Sequence, residues 1–260
     1  LNQPIPAWTL ITVAYNSERA LREFWTPPTT TDIEWLVVDN ASADGSASLA
    51  KSLGARVIRL PANRGFGAAN NIGFAASTGE YVAFVNPDVS AQLADLPMLS
   101  AHLDRYANAL VSPQLINADG SLQPNGRGLP YLANKIRNRI RPGTLTGDYL
   151  HYAHSGETVE VAWLMGAVVA GRRSHLASLG PWDEKFFVYY EDSDLGLRNT
   201  RAGGTNVVLG DAQWLHGWAR ETKKASLPAW KRELPSMAKF YGRYPRLLGR
   251  PRPLVRGVCV

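Results

Sequence analysis

Cysteine, long apolar runs and charge are all scarce in this chain. A single cysteine, Cys259, among 260 residues excludes an intrachain disulfide framework and any cysteine-cluster metal site. No apolar run reaches the ~18 residues that a membrane-spanning helix needs. The longest, over 161–170, is short and carries Trp163 and Gly166. The first residues lack the basic-then-apolar layout of a secretion signal, so a cytoplasmic location is expected. Charged residues make up only 19%, but 45% are hydrophobic, which excludes a disordered chain and promises a substantial core.

The charge that is present is uneven. Lys and Arg total 28 against 22 Asp and Glu, a net charge of +6. Eight basic residues and one acid, Glu233, follow position 229, and a second cluster holds Lys135, Arg137, Arg139 and Arg141. Such clusters seek phosphate on a substrate, an anionic lipid or a nucleic acid. No recognisable nucleic-acid-binding module accompanies them, so nucleic acid is not expected as a partner.

Over the first ~115 residues, β-rich apolar runs at 8–14, 35–38, 56–60 and 81–85 recur about every 21 to 27 residues. Helix-like stretches at 18–24, 46–53 and 67–76 separate them. This alternation predicts an α/β fold with a mostly parallel central sheet covered by helices on both faces. The second half is less regular. Residues 115–152 read as loop plus a short basic helix, 158–171 as partly strand, 186–201 as an aromatic stretch entering an acid-led helix, 205–209 as a strand, and 227 onward as a basic helix.

Ligands of such sheets sit beyond the carboxyl ends of the strands, and the polar clusters follow those ends. They are Tyr15-Asn16-Ser17, the block from Asp39-Asn40 to Ser46, Asn63-Arg64-Gly65-Phe66-Gly67, and Asn86-Pro87-Asp88. Asp39 suits hydrogen bonds to a base or ribose, and the plain reading of its block is a helix cap. The glycines of the third cluster allow close backbone approach, and the helix they open favours phosphate. Neither a dinucleotide fingerprint nor a Walker loop is present. Asp88 offers a hard oxygen ligand for Mg²⁺ or Mn²⁺ on a diphosphate. In Glu191-Asp192-Ser193-Asp194, Glu191 and Asp194 share a helical face while Asp192 points ~100° away. One carboxylate can therefore face a substrate as general base while the others cap or pair. His216, between Trp214 and Trp218, is a structural histidine or an imidazole metal ligand.

These six blocks, taken in order with Asn71 and with Gly180-Pro181-Trp182-Asp183-Glu184-Lys185-Phe186-Phe187, resemble the family 2 inverting glycosyltransferases over residues 8–220. The Asn-Pro-Asp form is similar to that of bacterial dTDP-rhamnosyltransferases of polysaccharide and cell-wall assembly. The resemblance implies a GT-A fold, with residues 1–220 as the catalytic domain. Residues 1–115 would bind donor, 116–220 acceptor, and 221–260 would form a basic aromatic helical extension. It implies a nucleotide-diphospho-sugar donor held by Tyr15, Asn16, Asp39, Asn40, Arg64, Gly65, Asn71, Asn86 and Asp88. A divalent Mg²⁺ or Mn²⁺ would lie on Asp88 and His216, and Asp192 would act as base. The acceptor, a glycan or polyprenyl-linked saccharide, would lie against Trp163, Trp182, Glu191 and Trp218.

Two positions depart from the family pattern. Asn86 replaces the first acid of an Asp-x-Asp, which weakens the expected metal dependence, and Trp182 stands where Phe is commoner. The tail aromatics Trp230, Phe240, Tyr241 and Tyr244 suit an anionic membrane surface at the cytoplasmic face, with an oligomer contact or a solvated helix as alternatives. Another donor, UDP-galactofuranose, a UDP-hexose or a UDP-N-acetylhexosamine, stays open, as does an inactive sugar- or nucleotide-binding protein. A sugar nucleotidyltransferase would want a Gly-rich basic loop after the first strand, where Tyr15-Asn16-Ser17-Glu18 stands instead.

Overall fold

The computed structural model describes residues 7–28, 30, 32–141, 149–217 and 227–249. The first half alternates as the sequence requires: β1 (Trp8–Ala14), α1 (Glu18–Phe24), β2 (Ile33–Asp39), α2 (Ser46–Ser52), β3 (Arg56–Arg59), α3 (Phe66–Ala76) and β4 (Tyr81–Val85). Then follow β5 (Val89–Ser90), α4 (Leu96–Arg105), β6 (Ala109–Ile116), β7 (Gly126–Arg127), α5 (Leu132–Ile140), β8 (Leu150–His151), β9 (Thr158–Val161), β10 (Trp163–Leu164), β11 (Val168–Arg172), α6 (Arg173–Leu179), α7 (Glu191–Arg201), β12 (Thr205–His216) and α8 (Leu227–Arg243).

The central sheet runs β3-β2-β1-β4-β11-β6-β12-β5, with β9 on β12. β1 pairs in parallel with β2 and β4, β2 with β3, and β6 with β12. β11 enters antiparallel between β4 and β6. A smaller antiparallel sheet, β10-β7-β8, stands beside it.

Successive strand residues point to opposite faces, and the core divides accordingly. Leu10, Val37, Ala83 and Val111 pack with Leu21, Ala50 and Leu99 of α1, α2 and α4. Their neighbours Ile11, Leu36, Val82 and Leu110 pack with Trp182, Leu176 and Leu195 on the other face, where Phe66 and Phe74 of α3 also lie. Both faces are thus covered, which explains the near-continuous apolar strands.

β12 is longer than the expected 205–209. An irregularity between Leu209 and Gln213 interrupts its register with β6, and the strand then resumes beside β5, pairing His216 with Val89. A strand can turn through such a bulge and still continue its ladder.

The C-terminal helix differs in role from its expectation. Phe240, Tyr241 and Tyr244 are buried against Phe186, Tyr190 and Leu197. These rings cover α7 and are not presented to a membrane. Residues 250–260, with Cys259 and the last basic residues, lie outside the described chain.

α7 meets β10 through a missing side chain. A Cβ on Gly196 would lie 2.4 Å from Trp163 Cβ, 2.7 Å from Trp163 Cα and 2.8 Å from Ala162 O. Alanine gains ~1 kcal/mol in helix propensity, but strand backbone cannot swing aside as a side chain does. Gly196→Ala is therefore expected to destabilise the protein by about 1–3 kcal/mol, read as a lower urea midpoint. An unchanged or raised midpoint would show that the two elements are not locked here.

Candidate active site

The ends of β1 and β2 form a polar lattice. Asn16 and Ala41 both sit at positive φ, 51° and 64°, costly for residues with a side chain. The lattice holds them. Asn16 N–H donates to Ser42 Oγ at 3.0 Å, and Asn16 Oδ1 accepts from Ala43 N at 2.8 Å. Glu18 N–H donates to Asp44 Oδ2, and Gly45 N–H returns to Glu18 Oε2. Tyr15 projects from this lattice, half exposed. Asp39 ends β2 with 1% exposure; Arg59 Nε is 3.6 Å from its Oδ2, and its Oδ1 has no partner. An orphaned buried carboxylate oxygen is costly, and an N–H or O–H of a base or ribose would satisfy it.

Several donor candidates turn out to hold loops. Asn40 accepts from Arg64 N at 2.8 Å and donates to Asn63 Oδ1 and Gly65 O, so its amide fastens the 63–65 turn. Arg64 itself is exposed at that edge. Gly65 has φ +84°, and a Cβ there would lie 2.7 Å from Phe187 O. Phe66 N–H donates to the same carbonyl, so the first N–H of α3 is already used by the protein. Asn71 is committed to the 182–184 turn through Trp182 O, Trp182 N and Glu184 Oε1.

Asn86-Pro87-Asp88 forms the turn between β4 and β5, closed by Val89 N–H on Asn86 O. Asp88 O accepts from Gly217 N at 2.7 Å, tying the turn to the end of β12. His216 Nε2 thereby comes to 3.6 Å from Asp88 Oδ2, too long for a hydrogen bond. On the other side of the ring, Nδ1 lies 2.7 Å from Gln123 Oε1. Gln123 Nε2 already donates to His216 O and Asn117 Oδ1, so its oxygen must face the imidazole. This network assigns the proton to Nδ1 and leaves the Nε2 lone pair toward Asp88, the second-shell arrangement of a metal-ligating histidine. Gln123 was not singled out from sequence, because nothing local marks it.

Asp192 lies in the first turn of α7. Oδ1 accepts from Ser193 N at 2.7 Å and Oδ2 from Gly166 N at 3.3 Å. Gly166 is followed by Ala167, whose carbonyl accepts from Asn86 N at 2.9 Å. One short turn between β10 and β11 therefore joins the Asp192 carboxylate to the Asn86-Pro87-Asp88 turn. Two consecutive residues at positive φ, Tyr189 (67°) and Tyr190 (73°), precede the helix. The sister acids do other work. Asp194 is fully buried and paired with Arg198 and Arg243. Glu191 is buried with Oε2 unpartnered; burial, then the nearby Asp192 charge, push its carboxyl up to about 8 against the pull of Lys135.

The expected acceptor wall is corrected by burial. Trp182 lies in the core, edge-on to Phe66 and Phe84, so its indole is not open to a sugar. Trp163 is also buried, its Nε1 donating to Gly128 O. Trp218 lies outside the described residues. Two cations unassigned from sequence feel the Asp192 charge, Arg127 of β7 and Lys135 of α5; Lys135 Nζ donates to Ser193 Oγ, which in turn lies 3.3 Å from Asp192 Oδ1. Lys135 belongs to the basic cluster seen in the sequence; Arg127 carried no signal.

The sequence profile described as Glycosyl transferase family 2 matches residues 9–157, more than half of the chain. The chain belongs to this family. A Mycobacterium tuberculosis protein named N-acetylglucosaminyl-diphospho-decaprenol L-rhamnosyltransferase is 31% identical over 206 residues, 72% of this chain and 67% of that relative. Among solved structures, the Pyrobaculum calidifontis mannosyltransferase PcManGT, in complex with GDP-Man and Mn2+, superposes with TM-score 0.61 at 19% identity, over 96% of this chain and 67% of that one. S. aureus TarS 1-349 with UDP-GlcNAc superposes with TM-score 0.63 at 17% identity, over 92% and 65%. The chain thus spans about two thirds of the length of each. The fold of this family 2 member is that of the GT-A glycosyltransferases. Among its described residues, no helix is long and apolar enough to cross a membrane.

The raised Glu191 carboxyl makes stability depend on pH. Its folded value exceeds the unfolded one, so its contribution is complete below the unfolded value and is lost as pH rises through about 8. Lys135, pulled down to about 8 by burial, acts above that pH with the opposite sign. The melting temperature is expected to fall from about pH 5 to pH 8, and Glu191→Gln to flatten the slope. Equal slopes in the two proteins would remove Glu191 as the cause.

Proposed function

We propose that this family 2 glycosyltransferase moves L-rhamnose, with inversion, from dTDP-L-rhamnose to a hydroxyl of a lipid-linked saccharide in bacterial cell-wall or polysaccharide assembly. The observation that carries the chemistry is the joining of Asp192 to the Asn86-Pro87-Asp88 turn through Gly166 and Ala167. A base and a diphosphate site must flank one anomeric carbon, and the hydrogen bonds of this turn to both segments support that reading. The choice of rhamnose and of a lipid-linked acceptor rests on the Mycobacterium tuberculosis relative and on the Asn-Pro-Asp form.

The residues fit a divalent ion shared with the donor. Asp88 and His216 face each other with the imidazole tautomer a ligand needs. Among the described residues, no third His, Cys, Asp or Glu joins them. Two protein ligands make an incomplete shell, as expected of an ion that keeps its waters and binds through substrate phosphates. When bound, the ion supplies charge neutralisation for the leaving diphosphate.

The residues of this chain then have distinct tasks. Asp39 takes the base or ribose, and Tyr15 and Arg64 edge the donor. Asp192 accepts the proton as the acceptor O–H breaks. The oxygen forms its bond to the anomeric carbon from the face opposite the diphosphate, and the electron pair of the old C–O bond leaves on phosphate. Gly166 N–H and Ser193 N–H hold the carboxylate in place, the pre-orientation a general base needs.

Asp192→Asn is expected to lower kcat by ~10²–10⁴-fold while dTDP binding persists, in an assay across a panel of nucleotide sugars with Mg²⁺ or Mn²⁺. Turnover of another donor would replace rhamnose, and full activity in the variant would remove Asp192 as base. Mn²⁺ alone is expected to bind weakly and to gain at least tenfold in affinity with dTDP present. Tight Mn²⁺ binding without nucleotide would contradict the two-ligand account.

A further inference from the structure

Lys135 stands where a lysine is electrostatically disfavoured. Its Nζ donates to Ser193 Oγ at 3.0 Å, and Ser193 is the third residue of α7. The N-terminal end of a helix carries positive partial charge and repels a cation. The lysine is half-buried, while its neighbour Ile136 and, one turn on, Ile140 face outward at 45% and 71% exposure. A helix that turns a charge inward and two isoleucines outward loses stability on both counts. Three rings surround the ammonium, with centroids at 3.7 Å for Tyr190, 5.0 Å for Trp163 and 5.7 Å for Phe240. Aromatic faces hold a cation in place, but they carry no net charge to set against it.

Ser193 is bonded on both sides. An ammonium can only donate, so the Ser193 hydroxyl accepts from Lys135 and keeps its own proton to give. That proton goes to Asp192 Oδ1, 3.3 Å away. Ser193 N–H donates to the same oxygen at 2.7 Å. Oδ1 is thus held twice, whereas Oδ2 receives only Gly166 N–H at a long 3.3 Å. The two oxygens of the base are therefore unequal: one is anchored, and the other has room for the proton of an acceptor. The neighbouring acid is the opposite case. Glu191 Oε2 is buried with no partner, an environment that favours a neutral carboxyl. Other charges bear on the pair. The Asp192 charge also acts on Arg127 of β7 and on the Tyr149 hydroxyl beside β8. Glu233 of α8 and Glu191 act on Lys135 in the same sense as Asp192, and Arg127 in the opposite sense.

We infer that Lys135 is a positioning residue for the base: through the Ser193 hydroxyl it anchors Asp192 Oδ1 and keeps the negative charge of the Glu191–Asp192 pair on Asp192, so that Oδ2 takes the acceptor proton. The inference rests on the transferase reading. Lys135 acts through Ser193 and needs no contact with either substrate.

Lys135→Met keeps the length of the side chain among the rings, and Ser193→Ala removes only the hydroxyl that links the two charges. Each is expected to lower kcat about tenfold, with acceptor KM and dTDP affinity within about twofold of the wild type. Each is also expected to move the acidic limb of the kcat/KM profile to higher pH, because the base has lost its link to a cation. The double variant is expected to fall no more than about twofold below the worse single, since both substitutions break one chain. A lysine with only a structural role would scale activity equally at every pH. An acidic limb unmoved in both variants, a loss confined to KM, or multiplied losses in the double variant overturns the inference. If no nucleotide sugar turns over with the wild type, the transferase reading fails, and the link between Lys135 and Asp192 is decided without turnover. Burial brings Lys135 down to about 8, and the Asp192 charge is the largest influence opposing it. The Nζ signal of Lys135 is followed by NMR in protein with isotope-labelled lysine, assigned by its loss in Lys135→Met. Asp192→Asn is expected to lower its titration midpoint by at least about half a pH unit. A midpoint that does not move overturns the link.

Discussion

The buried carboxylate of Asp194 organises the second half of the chain. It has no solvent exposure, yet it meets the Arg198 guanidinium at 2.7 Å, Arg243 at 2.6 Å and the Tyr244 hydroxyl at 2.8 Å. Arg198 spends its remaining donors on the carbonyls of Leu179, Gly180 and Pro181, and Arg243 also reaches Asp183. One carboxylate thus ties α7, the end of α8 and the 179–183 turn together. Charge-assisted hydrogen bonds repay the desolvation of such a group only when it is fully satisfied, and here it is. Removing any partner leaves charge buried without compensation. The orientation of α7, and with it Asp192, depends on this knot.

Around it the fold presses loops close. Gly65 lets the 63–65 turn touch the Phe187 backbone, and Asn71 clasps the 182–184 turn. Both belong to the first half of the chain, yet both hold the 182–187 segment that leads into the Tyr189-Tyr190 entry to α7. Residues that a motif reading assigns to donor contact thus hold the segment leading into α7 against the sheet edge. Strain of this kind persists only where surrounding packing over-determines it.

The first four strands and the helices between them were legible because their periodicity reports burial on both sheet faces, a local property. The order of polar blocks was legible for the same reason, since each follows a strand end. The antiparallel entry of β11 was not, because a five-residue apolar strand looks the same in either direction. The run of β12 past its bulge to His216 was hidden by Gly210 and Asp211, which read as a stop. Arg127 and Gln123 lie in a Gly-, Pro- and Asn-rich stretch with no period, and only tertiary pairing sets them beside Asp192 and His216. The tail aromatics misled for a physical reason: basic residues interleaved with aromatics describe a membrane-facing helix and a core-facing helix with a charged outer side equally well.

In the proposed reaction Asp192 is the one carboxylate at the reacting carbon, and the buried Glu191 and the paired Asp194 take no part in bond exchange. A single displacement inverts the anomeric centre, whereas two successive displacements at a protein nucleophile retain it. The most direct measurement is the anomeric configuration of the first-formed product, followed by NMR during transfer from a donor of known configuration. Inversion is the result this account predicts. Net retention would contradict it and require a covalent sugar–protein intermediate for which the site, so described, has assigned no nucleophile.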